Sequence, residues 1–140
     1  MDPNDPPSVS PSGDDVMALA RIRSACADLP GVDESALQGR PLFRVRRRRF
    51  AIFNGAASPA RPRWRRFGRS LHVLTDPGEL AALRQDPRFR ESPHHGALGW
   101  MALDLDPTTD WDEVAELLEA GYRQAAPRTL VELLDGRRGR

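Results

Sequence analysis

The sequence predicts an α+β fold: a two-layer domain with an antiparallel sheet and helices packed on one face, in the order α-β-β-β-α-β-α. Three observations lead there. Residues 110–125 carry an apolar stripe at helical spacing behind an acidic start. Residues 43–53, "FRVRRRRFAIF", read as a hairpin whose apolar side chains gather on one face. Capping residues and Gly/Pro breaks separate these runs from further short strands. A length of 140 residues fits one domain with a sizeable core.

The elements follow in order. Residues 1–13 hold four Pro with Ser, Asp and Gly and predict a disordered tail. Asp14 and Asp15 open a helix whose apolar side is Val16, Leu19, Ile22, Cys26 and Leu29, and "LPG" ends it. In the hairpin, a four-residue loop over Arg46–Arg49 sets Val45 opposite Phe50 and Phe43 opposite Ile52. Those four then form the core face, and Arg44, Arg46, Arg49, Ala51 and Phe53 lie on the other. Such a loop, built on a type I turn, spares an arginine from positive φ, which costs on the order of 1 kcal/mol.

Residues 54–69 form a long loop, and "SLHVLT" is the third strand. "DPGE", Asp76–Glu79, predicts a helix start with an Asp N-cap and a capping box; Leu80 and Leu83 give that helix its buried side. "GWMALDLD" alternates Met101, Leu103 and Leu105 against Trp100, Ala102 and Asp104, so it is a half-buried strand. "DWDE", Asp110–Glu113, begins a helix with the stripe Val114, Leu117, Leu118, Gly121, Tyr122 and Ala125. Pro127 breaks it, and Leu130, Val131 and Leu134 predict a short terminal helix. One domain over 14–135 results, with residues 136–140 a frayed basic end. The sheet face away from the helices is expected to be open.

Charge is unevenly spread. The chain has 21 Arg and no Lys against 20 Asp plus Glu. Residues 36–75 hold eleven Arg and no acid; residues 102–122 hold seven acids and no base. The molecule is therefore expected to have a basic half and an acidic half. Cys26 is the only cysteine, which precludes an intramolecular disulfide. The N-terminal stretch does not read as a signal peptide, and no apolar run approaches the ~20 residues of a membrane span. The expectation is a cytoplasmic protein.

Five stretches, "LPGVDE" (29–34), "GRPLFRVRRRRFAIF" (39–53), "LTDPGEL" (74–80), "HHGALGW" (94–100) and "WDEVAELLEAGYRQAAP" (111–127), resemble the MmcQ/YjbR family in the same order. The resemblance covers about residues 16–135. It implies a two-layer fold like that of secretion chaperones and a DNA-binding role through a double-wing motif. Gly39, Phe43 and Phe50 match the family's hairpin framework, and His94 matches a His placed six residues before a Trp, here Trp100. The chain departs from the family in the turn, where Arg47 and Arg48 replace Gly. It departs again before the helical Tyr, where Gly121 replaces Ser and implies tighter helix packing.

The candidate nucleic-acid contacts are Arg44, Arg46, Arg47, Arg48 and Arg49 on the hairpin, and Arg63, Trp64, Arg65 and Arg66 in the loop after it. A guanidinium fork bonds two phosphate oxygens, and an exposed Trp among arginines offers a single-stranded base a stacking platform. The expected partner is thus DNA or single-stranded nucleic acid. The competing expectation is a protein-interaction or self-associating module, monomeric or weakly dimeric, in which acidic helix meets basic hairpin. His72, His94 and His95 lack metal-ligand spacing. Asp104 and Asp106 have no accompanying nucleophile or glycine-rich phosphate loop and are expected to pair with Arg44 or Arg46. No metal, no cofactor and no catalytic activity are expected.

Overall fold

The computed structural model describes residues 13–55, 68–94 and 98–139. The predicted tail and most of the predicted long loop, with Arg61, Arg63, Trp64, Arg65 and Arg66, lie outside the described residues. Four helices and six strands follow one another: α1 (Gly13–Ala27), β1 (Val32–Leu37), β2 (Arg40–Val45), β3 (Arg48–Asn54), β4 (Ser70–Leu74), α2 (Leu80–Gln85), β5 (Phe89–Glu91), β6 (Trp100–Asp104), α3 (Trp111–Ala125) and α4 (Arg128–Arg138). The α+β class and the order of the predicted elements hold. β1 and β5 are additional, and α4 continues past residue 135 to Arg138.

All strand pairs are antiparallel, in the order β1-β2-β3-β4-β6-β5. Their register sorts the side chains into two faces. One row across the sheet is Glu34–Phe43–Ala51–Val73–Met101–Glu91, and it faces the helices. The adjacent row is Ser35–Leu42–Ile52–His72–Ala102–Arg90, on the opposite face. The main core joins Phe43, Phe53, Leu71, Val73 and Met101 to Ile22 and Cys26 of α1, Leu118 and Tyr122 of α3, and Leu134 of α4.

The hairpin register differs from the predicted one. β2 and β3 are joined by a two-residue turn, with Val45 opposite Arg48 and Arg44 opposite Arg49. Arg46 and Arg47 both have positive φ, 50° and 69°, as a type I′ turn requires. The register then shifts between Phe43 and Arg44, leaving Phe50 as the extra residue of a bulge. Phe50 and Ala51 consequently both join the core. Ile52 is carried to the other face, where it packs with Leu42 and Trp100. Phe53, predicted to face outward, is core instead.

That other face is not open at its centre, since Ile52, His72 and Ala102 are fully buried. Two helix starts and faces also move. In α1 the buried line is Asp15, Ala18, Ile22 and Cys26, whereas Val16 is 52% exposed. Asp15 is buried, and Arg69 offsets the cost by donating to its Oδ1 at 2.5 Å. "DPG" forms a turn, Asp76 Oδ1 accepting from Gly78 N, and α2 begins only at Leu80, with no side-chain cap from Glu79. Asp110 does cap α3, accepting from the backbone N–H of Asp112 and Glu113. No helix among the described residues is long and apolar enough to cross a membrane.

α3 lies on the sheet at very close range. A Cβ on Gly121 would stand 2.7 Å from the Leu74 carbonyl oxygen, 3.0 Å from Val73 Cγ2 and 3.3 Å from the Phe50 carbonyl oxygen. Next to it, the Tyr122 hydroxyl donates to the Pro30 carbonyl at 2.6 Å, and its ring meets Phe50 edge-on. Gly121→Ala should therefore destabilise the fold by about 1–3 kcal/mol through overpacking. Phe50→Ala should cost about 3–5 kcal/mol through the cavity it leaves. Urea denaturation measures both; an unchanged midpoint for Gly121→Ala would mean that α3 stands farther from the sheet.

Candidate nucleic-acid interface

The candidate interface is built on the β2–β3 turn. Two turns flank β2, and both place two residues at positive φ: Gln38 and Gly39 before it, Arg46 and Arg47 after it. The first uses a glycine, for which positive φ has no steric cost. The second uses two arginines, so the backbone strain is accepted at a position where charge stands at the tip. Arg46, Arg47, Arg48 and Arg49 are all exposed.

Elsewhere many arginines reach carboxylates, although exposed Arg21 lies over the Trp111 ring instead. Arg23 holds Glu34, Arg44 holds Asp33, Arg69 holds Asp15, Arg88 holds Asp86, Arg90 holds Asp104 and Arg123 holds Asp135, all at 2.5–2.8 Å. At the turn the pattern changes. Arg46, Arg47 and Arg49 have no acidic partner among the described residues, and Arg48 donates to the Ala125 carbonyl at the end of α3, at 3.4 Å. Arg44 and Arg49 stand opposite one another, a like-charge pair that Asp33 relieves from the β1 side.

The structure thus brings together five of the sequence-predicted residues, Arg44 and Arg46–Arg49, with Arg44 already neutralised. Arg63, Trp64, Arg65 and Arg66 lie outside the described residues. The expected pairing of Asp104 and Asp106 with Arg44 or Arg46 does not occur. Asp104 is three strands away from β2 and binds Arg90, while Asp106 accepts from the Thr108 hydroxyl and backbone N–H. These contacts hold the Asp106 carboxyl below the usual carboxylate range.

A buried polar network on the second face had no clear signal in the sequence beyond His72 itself. His72 Nε2 lies 2.9 Å from Ser70 Oγ and Nδ1 lies 2.8 Å from Ser92 Oγ. Ser92 Oγ also accepts from the His94 backbone N–H, and the His94 ring stacks edge-on to Trp100 at 4.7 Å. Beside them, Arg40, fully buried, donates to Asn54 Oδ1 at 3.0 Å. Burial, with the charges of Arg40 and Arg90 and with His94 adding to it, lowers the His72 pKa to about 3. Among the described residues no three His, Cys, Asp or Glu form a group able to hold a metal ion. Burial pushes the Cys26 thiol up to about 12.

A single antiparallel sheet with helices on one face and a basic turn at its corner defines a small α+β domain. The chain belongs to the YjbR family, whose model matches residues 27–124. It is similar to the crystal structure of the Deinococcus radiodurans protein DR2400, a DUF419-domain protein, with a TM-score of 0.62 and 21% identity over 84% of this chain and 87% of that one. It is also similar to a Pseudomonas syringae protein, with a TM-score of 0.59 and 12% identity over 76% of this chain and 97% of that one. At these identities the likeness shows the fold. No curated protein matches the chain.

The network gives a pH dependence whose sign is fixed. Unfolded, His72 takes up a proton near pH 6.5; folded, only near pH 3. Its neutral form favours the fold, so this contribution is complete above pH 6.5 and is lost as pH falls from there toward 3. Unfolding free energy should decline between pH 6.5 and 4.5 by up to about 1.4 kcal/mol per pH unit. His72→Gln should flatten that stretch. A flat wild-type profile would contradict a neutral, buried His72.

Proposed function

We propose that this protein is a non-enzymatic nucleic-acid-binding module of the cytoplasm that grips phosphates with the Arg46–Arg49 turn. The observation that carries this reading is the contrast in pairing. Where many arginines of the chain bind carboxylates, Arg46, Arg47 and Arg49 stand exposed without an acidic partner among the described residues. Guanidinium groups in that state can neutralise phosphates and so free the cations condensed on the nucleic acid, which is the main source of sequence-independent affinity. The strained backbone of the turn supports the same reading, because Asn-Gly would satisfy a type I′ turn at lower cost.

The arginines of the following loop, Arg63, Arg65 and Arg66, extend the basic run in the sequence, and Trp64 among them suits a stacked base. Non-catalytic action is supported by the chemistry of the buried groups. His72 is hydrogen-bonded through both ring nitrogens and fully buried, and Cys26 is a buried, protonated thiol.

One double variant separates folding from binding. Arg46→Asn with Arg47→Gly keeps the turn type, relieves the strain and removes two charges. It should raise the unfolding free energy by about 1–2 kcal/mol. Fluorescence anisotropy with a labelled duplex should show weaker binding, with the slope of log affinity against log salt reduced by about 1–2. An unchanged slope would remove the turn from the interface.

A further inference from the structure

A cleft between α2 and α3, about 370 Å³ in volume, lies away from the basic turn. Its floor is apolar, formed by Leu83, Phe89 and Leu117. Among the described residues Arg88 is the only base on its lining, and it is already engaged by Asp86 and Glu113. Glu79 and Glu116 are exposed on the rim with no basic partner among the described residues, and Asp76 stands beside them. The cleft therefore has unanswered negative charge above an apolar floor. The same chain carries unanswered positive charge on a narrow two-residue turn.

We infer that the α2–α3 cleft receives the Arg46–Arg47 turn of a second copy of this chain. Charge complementarity selects the occupant, because the turn lacks acids and the cleft rim lacks free bases. Stereochemistry makes the contact intermolecular. Arg48 rests on Ala125, at the last turn of α3, whereas Glu116 lies nine residues earlier, about 14 Å along the helix. β2 and β3 are paired up to the turn, so the hairpin cannot fold back over that distance. The aliphatic stems of the arginines would cover Leu83 and Leu117 while the guanidiniums reach Glu79 and Glu116. A contact of this size and polarity is weak and salt-sensitive.

This goes beyond the nucleic-acid reading and uses the same arginines, so association and phosphate binding exclude one another. A charge exchange tests it by sedimentation velocity. Wild type should associate in low salt and dissociate as salt is raised. Glu79→Arg/Glu116→Arg and Arg46→Glu/Arg47→Glu should each be monomeric, with self-association at least about tenfold weaker. Mixed in equal amounts, the two variants should associate again, because each supplies what the other has lost. A wild type that is monomeric at low salt and high concentration would overturn the proposal. So would a mixture that stays monomeric, or association that survives either double variant. The cleft variant retains the turn, so its binding to a labelled duplex reports on the nucleic-acid reading separately.

Discussion

The fold depends on how closely α3 approaches the backbone of β3 and β4. At Gly121 only a hydrogen separates the helix from the Leu74 and Phe50 carbonyls. That contact sets the depth at which Val114, Leu118, Tyr122 and Ala125 enter the core. Tyr122 then carries the constraint further. Its hydroxyl ties α3 to Pro30, fixing the start of the β1–β2 hairpin relative to the helix. From the end of the same helix, the Ala125 carbonyl takes a hydrogen bond from Arg48. The position of the basic turn is thus inherited from a glycine in the middle of a helix.

Charge is organised by the same framework. The sheet places many arginines beside acids on neighbouring strands or helices, and those pairs cancel locally. Among the described residues, the β2–β3 turn and the α2–α3 cleft each keep charges without an ion-pair partner, Arg46, Arg47 and Arg49 at the one and Glu79 and Glu116 at the other. A net charge of +1 conceals this separation. Exposed ion pairs contribute little stability individually, but here they decide which charges on the surface go unpaired.

Much of the architecture was legible in the residues. The stripe from Val114 to Ala125 and the Asp110 cap identified α3, and alternation from Trp100 to Asp104 identified β6. β1 was not legible, because an edge strand buries little and "VDESAL" shows no alternation of apolar residues. β5 was too short to show a period. The hairpin was recognised but its register was not. Hydrophobic alternation assumes one residue per pleat, and the bulge at Phe50 breaks that count, so Ile52 and Phe53 exchange faces. The turn escapes the same reasoning, because steric preference argues against positive φ in arginine, yet Arg46 and Arg47 both adopt it. The buried serines around His72 could not be foreseen, since Ser92 joins Ser70 only through the strand order β4-β6-β5.

The outer strand β1 has a consequence for the molecule in solution. An open sheet ends in unpaired backbone donors and acceptors, which can template the addition of further strands and lead to fibrous aggregates. Asp33 and Glu34 sit on that strand, and each is held by an arginine from its own molecule, Arg44 and Arg23. A strand approaching this edge would have to desolvate both ion pairs before gaining a single backbone hydrogen bond. At the opposite edge, β5 spans only Phe89–Glu91 and gives little length to pair with. The sheet is therefore finite by construction, and neither of its edges invites growth strand by strand.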